Sequence, residues 1–79
     1  MTWNEVILGN YGIPRLEIVS GEGCFVTDSH GKKYLDLLAG IAVTTLGHSH
    51  PAIVKAVTVQ VNTLIHTSNL YAHPRAIEL

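Results

Sequence analysis

The sequence has little of the material that several protein classes require. It contains a single cysteine, Cys24, so it cannot form an intrachain disulfide framework. It has no apolar run long enough to cross a membrane, and no basic segment followed by an apolar one at its start. Its formal charge of −1 leaves no basic excess for binding a phosphate backbone. These absences predict a protein of the reducing cytoplasm, without a membrane span or a nucleic-acid partner.

Apolar residues, by contrast, are abundant for so short a chain. The 79 residues are enough for at most one small domain, yet 47% of them are hydrophobic. Since a small domain is mostly surface, we expect part of this apolar surface to pack against another domain or subunit. The chain also ends at Leu79, only a few residues after Pro74 opens an apparent helix. The sequence is therefore expected to be a fragment of a longer protein.

The order of periodic and turn-forming segments predicts an α+β unit with a three-stranded antiparallel meander. The predicted elements are, in order, a helix over residues 2–10, strands over 16–19, 24–28 and 33–37, and a helix over 51–65. Glycines are expected to form turns at 21–23 and 29–31. Because three strands with one apolar face need a cover, the helix over 51–65 is expected to lie on the sheet.

Specific residues predict where the two helices begin and end. Thr2 and Glu5 have the spacing of a capping box, and Gly9 is expected to end the first helix. Pro51 suits the first position of the second helix, with Ser49 or His50 as its N-cap.

Several side chains could carry chemistry, but their spacing favours structural roles. His48 and His50 could chelate a metal, yet no zinc-binding motif accompanies them, and we expect a backbone-bonded loop residue and a helix-start residue instead. Cys24 is interpreted as a small buried hydrophobe rather than a nucleophile. Asp28 and Asp36 lie at strand ends, where carboxylates commonly cap turns. No metal site is predicted.

Six segments spread over nearly the whole chain carry a more specific signal. They are Tyr11-Gly-x-Pro14, Val19-Ser-Gly-Glu-Gly23, Val26-Thr-Asp28, Tyr34-Leu-Asp36 after Gly31, Gly40-Ile-Ala-Val43 with Leu46-Gly-His48 and His50-Pro51, and His66-Thr-Ser-Asn-Leu-Tyr71. In this order and register they resemble the N-terminal part of class III pyridoxal-phosphate aminotransferases. The resemblance covers about the first fifth of a family chain.

The resemblance implies a fold type I transferase, of which residues 1–79 are the N-terminal part of the small domain, without the large cofactor domain. It implies pyridoxal 5′-phosphate as cofactor, a homodimer, and transfer of an amino group from N2-acetylornithine to 2-oxoglutarate in arginine biosynthesis. The cofactor then acts as the electron sink. The family's catalytic lysine lies downstream, and Lys32, Lys33 and Lys55 do not match it. The chain alone is expected to be inactive and to have no catalytic or cofactor-binding residue.

Two groups of residues match functional positions of the family. The substrate pocket is expected to include Tyr11, Gly40, Ile41, Ala42 and Val43. By the same resemblance, the ornithine aminotransferase branch of the family has a tyrosine at the position of Ile41, so the aliphatic residue here is compatible with an acylated substrate and argues mildly against that branch. The dimer interface is expected near Ser68, Asn69 and Tyr71.

Three alternative functions stay open from the sequence, the third of which is a small metal-binding module. Another ω-aminotransferase is possible, acting on succinyldiaminopimelate, succinylornithine, ornithine or 4-aminobutyrate. A non-catalytic interaction module derived from such an enzyme is a second alternative. Without the resemblance, Ser68 and Asn69 are interpreted as partners for the C-terminal backbone groups of the long helix.

Overall fold

The computed structural model describes all residues from Met1 to Leu79 and contains two compact units, residues 1–49 and 50–79. The first unit contains α1 (Trp3–Val6), β1 (Ile18–Glu22), β2 (Phe25–Asp28), β3 (Lys33–Leu35) and the short turn α2 (Ala39–Ala42). The second contains α3 (Pro51–Thr63) and α4 (Pro74–Glu78).

The three strands form one antiparallel sheet in the order β1-β2-β3, which confirms the predicted meander. The first strand was expected over residues 16–19, but β1 begins two residues later and continues through Gly21. Gly21 pairs with Val26, and β1 continues to Glu22, which pairs with Phe25. The turn therefore needs only two central residues, and Gly23 supplies the positive φ of 58°.

The second hairpin closes as expected, with Gly31 at a φ of 84°. Strand β3, however, ends at Leu35 rather than at residue 37. The amide of Asp36 still donates to the carbonyl of Cys24 at 2.7 Å, but the Asp36 side chain then bonds the following backbone and turns it away. Cys24 itself lies in the turn before β2 and is exposed, so the expectation of a buried cysteine is wrong.

Helix α1 confirms the capping box but is shorter than predicted. The backbone N–H of Thr2 donates to the Glu5 carboxylate, and this hydrogen bond lowers the pKa of Glu5. The helix ends at Val6, because Ile7 is already extended at φ −115°. Gly9 therefore does not end it; β-branched residues such as Val6 and Ile7 support a helix poorly.

Helix α3 begins where the sequence predicts, with Pro51 at its first position. The Nδ1 atom of His50 accepts the N–H of Ala52 at 3.2 Å, so His50 rather than Ser49 is the N-cap. The helix ends at Thr63, two residues early, because Leu64 is extended. The Gln60 side chain donates to the Leu64 carbonyl at 2.7 Å, which satisfies a backbone acceptor at this end.

Neither unit buries an apolar side chain. Asp28 is the only buried residue, at 5% exposure, and the apolar stripe of α3 is about half exposed. None of the helices has the length and apolarity that a bilayer crossing requires. The abundance of apolar residues therefore produces no core within the described units, and the predicted covering of the sheet by α3 stays a prediction.

Candidate functional site

The carboxylate of Asp36 organises the loop that follows the sheet. Its Oδ1 atom accepts the backbone N–H groups of Leu38 at 3.0 Å and Ala39 at 2.9 Å. Its Oδ2 atom lies 2.6 Å from Nε2 of His48. The Ala39 amide, followed by the His48 ring and the Leu38 amide, lowers the pKa of Asp36. Asp36 is therefore ionised at neutral pH and accepts at both oxygens, so His48 Nε2 carries the proton.

The backbone held by Asp36 is a left-handed turn. Four consecutive residues, Ala39 to Ala42, have φ between 53° and 63°. The N–H of Val43 donates to the carbonyl of Ala39 at 2.8 Å, so the turn is hydrogen-bonded. A left-handed conformation costs about 1–2 kcal/mol for each residue that carries a Cβ, and Ile41 is β-branched as well. Such strain persists only where surrounding contacts impose it.

A close approach of two backbone segments fixes His48. The amide and carbonyl of His48 bond those of Gly23, both at 2.9 Å. A Cβ on Gly47 would lie 2.8 Å from the Gly23 carbonyl oxygen, and one on Gly21 would lie 2.7 Å from Cγ of His48. The hydroxyl of Ser49 also donates to the Gly21 carbonyl at 2.9 Å. The glycines thus allow the loop to lie directly on the β1–β2 hairpin.

A second carboxylate, Asp28, closes the β2–β3 hairpin. Its Oδ1 atom accepts the amides of His30 and Lys32, and its Oδ2 atom accepts the Tyr34 hydroxyl, each at 2.9 Å. The structure therefore confirms the turn-capping interpretation for both aspartates. It corrects the expectation for His48, whose side chain bonds a carboxylate rather than the backbone.

The predicted pocket residues separate into two places. Gly40, Ile41, Ala42 and Val43 lie together in and just after the left-handed turn, and the Ile41 side chain is 81% exposed. Tyr11 lies on the irregular segment after α1 and is 96% exposed.

The predicted interface residues lie in a loop of the second unit. The Ser68 hydroxyl accepts the Leu70 amide at 3.3 Å, so it closes its own turn and does not end α3. Ser68, Asn69 and Tyr71 line an open groove of about 350 Å³ beside α4. His73 is the N-cap of that helix and accepts the Arg75 amide at 3.1 Å.

Comparison with known proteins decides the family. The model of the family "Aminotransferase class-III" matches residues 9–79. The chain belongs to the class-III aminotransferase family. Enzymes of this family depend on pyridoxal 5′-phosphate, and the resemblance seen in the sequence is confirmed.

Individual family members are similar over almost the whole chain. The acetylornithine aminotransferase of Mycolicibacterium smegmatis is 60% identical over 77 residues, which are 98% of this chain and 20% of the relative. The acetylornithine aminotransferase of Mycobacterium tuberculosis (strain H37Rv) is 54% identical over 77 residues, which are 98% of this chain and 19% of the relative. The chain thus spans about a fifth of the length of these relatives.

Solved structures of class-III aminotransferases share the fold. The acetylornithine aminotransferase of Elizabethkingia anophelis superposes with a TM-score of 0.88 at 36% identity, over 95% of this chain and 20% of that one. The ornithine aminotransferase of Toxoplasma gondii superposes with a TM-score of 0.81 at 31% identity, over 89% and 16%. The α+β fold is therefore that of an aminotransferase segment, as predicted.

The described residues do not fit the family's cofactor. The three lysines, Lys32, Lys33 and Lys55, are exposed, and none lines the groove beside α4 or the cavity beside α1. The paired amides of Leu38 and Ala39 could face a phosphate, but the Asp36 carboxylate already occupies them. No group of three or more histidine, cysteine, aspartate or glutamate side chains is placed to hold a metal ion.

Sequence reasoning missed the pairing of Asp36 with His48. Asp36 was interpreted as a turn cap and His48 as a loop residue, twelve positions apart. The sequence signal for this pairing is Gly47 directly before His48. Gly47 has φ 85° and lets the backbone lie against Gly23, and this contact places the His48 ring beside Asp36.

The buried Asp28 gives a prediction about pH. We expect Tyr34→Phe to lower the Tm of the whole protein that carries these residues, because it removes the hydroxyl donor from the Asp28 carboxylate. The Asp28 pKa is lowered, chiefly by the Lys32 amide, and the Tyr34 pKa is raised, chiefly by Asp28. The stability that the ionised Asp28 carboxylate contributes is lost as pH falls through its lowered pKa. The stability that the protonated Tyr34 hydroxyl contributes is lost as pH rises through its raised pKa.

The Tm difference between the two proteins should therefore shrink as pH rises above about 10, where the tyrosine of the unfolded wild-type chain ionises. On the acid side it should persist below about pH 4, because the amides of His30 and Lys32 still lower the pKa of Asp28 in Tyr34→Phe. Thermal unfolding followed by circular dichroism at pH 3 to 11 measures it. A difference that is as large at pH 11 as at pH 7 would contradict the hydrogen bond from the Tyr34 hydroxyl to the ionised Asp28 carboxylate.

Proposed function

We propose that residues 1–79 are the N-terminal part of the small domain of a longer, dimeric aminotransferase of the cytoplasm. Its reaction would transfer the amino group of N2-acetylornithine to 2-oxoglutarate, giving N-acetylglutamate 5-semialdehyde and glutamate, as in arginine biosynthesis. The observation that carries this proposal is the 60% identity to an acetylornithine aminotransferase over 98% of the chain. The large cofactor domain and the catalytic lysine would lie outside these residues, so the chain alone would be inactive.

The part of this chain in the reaction would be recognition of the substrate. Ile41 presents an aliphatic side chain from a rigid turn and is 81% exposed, so it is free to contact a bound molecule. An aliphatic surface suits the uncharged acetyl group and would exclude water from it, whereas it offers nothing to the free ammonium of ornithine. Gly40, Ala42 and Val43 would shape the same wall, with Tyr11 approaching the distal end of the substrate.

The residues proposed for the dimer interface are Ser68, Asn69 and Tyr71. Tyr71 is 72% exposed and lies beside the open groove of the second unit. Large exposed aromatic residues are enriched in interfaces, where they bury apolar area. A homodimer would also cover apolar surface that neither described unit buries.

The second candidate function is transamination of another amino donor, because the structure also resembles aminotransferases that are named for other activities. The structure superposes nearly as well on an ornithine aminotransferase and on an omega transaminase, with TM-scores of 0.81 and 0.79. Succinylornithine, succinyldiaminopimelate, ornithine and 4-aminobutyrate therefore belong in the assay. A non-catalytic interaction module is the third candidate.

The first experiment is the intact mass of the natural protein, together with its absorbance between 300 and 450 nm. A chain of several hundred residues with a cofactor band, forming glutamate from N2-acetylornithine and 2-oxoglutarate, supports the proposal. Higher kcat/KM for another of the named donors would reassign the substrate. A natural 8.6 kDa product without the band would leave the interaction module.

Replacing Ile41 tests the substrate assignment. In the full-length enzyme, Ile41→Tyr is expected to reduce the preference for N2-acetylornithine over ornithine by at least about tenfold, because a bulky phenol replaces the aliphatic contact. The measurement is the ratio of kcat/KM for the two donors. Ile41→Leu is the control, since it keeps an aliphatic side chain of equal volume and should keep the ratio. An unchanged ratio in Ile41→Tyr would remove Ile41 from the pocket.

A further inference from the structure

The left-handed turn is strained, yet nothing in its own unit explains it by packing. Ile41 and Val43 are 81% and 75% exposed, so their side chains gain little from being held there. Because no apolar side chain of the chain is buried, the feature that distinguishes this segment is its strained backbone, and such strain is concentrated at functional sites. The contacts that impose the conformation are therefore as important as the turn itself.

Those contacts come from a chain of groups that begins in the sheet. Gly23 holds the backbone of His48 through two hydrogen bonds of 2.9 Å. The His48 ring donates to Asp36 Oδ2 at 2.6 Å, and Asp36 Oδ1 receives the amides of Leu38 and Ala39. The side chains of Asp36 and His48 are only 13% and 25% exposed, so their geometry is protected from solvent. These hydrogen bonds connect the backbone of Gly23 to the left-handed turn through His48 and Asp36.

We infer that Asp36 and His48 are a positioning pair that holds the left-handed turn, and with it Ile41, in the conformation that selects the substrate. The inference deepens the proposed function and rests on it. Neither residue touches the substrate; both act through the turn. Loss of the pair should allow the turn to relax toward a right-handed or extended conformation, which moves Ile41 away from the acetyl group.

The chain contains a matched control for this role. Asp28 also uses Oδ1 for two backbone amides and Oδ2 for one side-chain donor, but it closes the hairpin and not the turn. Asp28→Ala and Asp36→Ala therefore remove the same number of hydrogen bonds. Only Asp36→Ala removes them from the segment that carries Ile41.

The experiment compares both variants with the wild-type holoenzyme. For each, the measurements are cofactor content from absorbance between 300 and 450 nm, the Tm, and kcat/KM for N2-acetylornithine and ornithine. We expect both variants to lose thermal stability and to keep the wild-type cofactor content. Asp36→Ala should lose at least about tenfold of the preference for the acetylated donor, while Asp28→Ala should keep it within about twofold. Asp36→Asn, which retains an acceptor for the two amides, should recover much of the preference.

Two outcomes overturn the inference. One is an Asp36→Ala enzyme whose donor preference equals that of Asp28→Ala, because Asp36 is then only a turn cap. The other is a His48→Ala enzyme whose preference for N2-acetylornithine over ornithine equals that of the wild type. This second variant serves as the test if Asp36→Ala does not fold. If the proposed function itself is wrong, the wild-type enzyme will show no preference for N2-acetylornithine, and this result distinguishes the two failures.

Discussion

Gly47→Ala is expected to destabilise the full-length protein by about 3 kcal/mol or more. The new Cβ would lie 2.8 Å from the carbonyl oxygen of Gly23 and 3.0 Å from its carbonyl carbon. Both atoms belong to the backbone, so no side chain can rotate away. Relief requires the loop to separate from the hairpin, which breaks the two hydrogen bonds between Gly23 and His48.

Gly31→Ala provides the control for this experiment. Gly31 has φ 84° against 85° for Gly47, but a Cβ added there meets no atom within 4 Å. It should therefore cost only the left-handed strain of an alanine, about 1–2 kcal/mol. Denaturant unfolding of the two variants separates the clash from the strain. Equal losses would show that the close approach to Gly23 has no energetic weight.

Residues 1–79 produced alone are expected to show no cooperative thermal transition. Ordering a backbone residue costs about 1–2 kcal/mol, and burial of apolar side chains has to offset that cost. In this chain no apolar side chain is buried, and large ones such as Leu37 and Leu38 are 88% and 67% exposed. The hydrogen bonds of one small sheet and one long helix are insufficient by themselves.

Circular dichroism at a concentration where sedimentation shows a monomer tests this expectation. The signal should change gradually with temperature, and the near-ultraviolet bands of Trp3 and the tyrosines should be weak. The full-length protein under the same conditions is the control and should unfold in a sigmoidal transition. A sigmoidal transition of the isolated monomer would contradict the prediction and would mean that backbone and polar contacts suffice.

The parts of the fold that the sequence predicted have local causes. Pro51 with His50 starts α3, Thr2 with Glu5 starts α1, and Gly31 closes a hairpin, each through contacts within a few residues. The strand order also followed, because short turns join neighbouring antiparallel strands. Element ends were less accurate, since α1 and α3 stop at β-branched residues that give only weak signals.

The conformation of the candidate site could not be predicted in the same way. Ala39, Ile41 and Ala42 have no preference for a left-handed backbone, and only Gly40 tolerates it freely. The conformation is imposed by Asp36 from one side and, through it, by His48 from a segment twelve residues away from Asp36. Contacts between such segments leave no periodic pattern. The family resemblance indicated which residues matter, but not that their backbone is left-handed.

The nearness of the His48 ring to Gly21 couples the side-chain sizes that two distant positions of the sequence can accept. A methyl group at position 21 would lie 2.7 Å from the ring's Cγ atom, so the two positions share one small volume. A side chain at position 21 therefore requires a smaller residue at position 48, and that change removes the hydrogen-bond partner of Asp36. Variation at an unremarkable strand glycine is thereby restrained by the requirements of a turn in another part of the sequence.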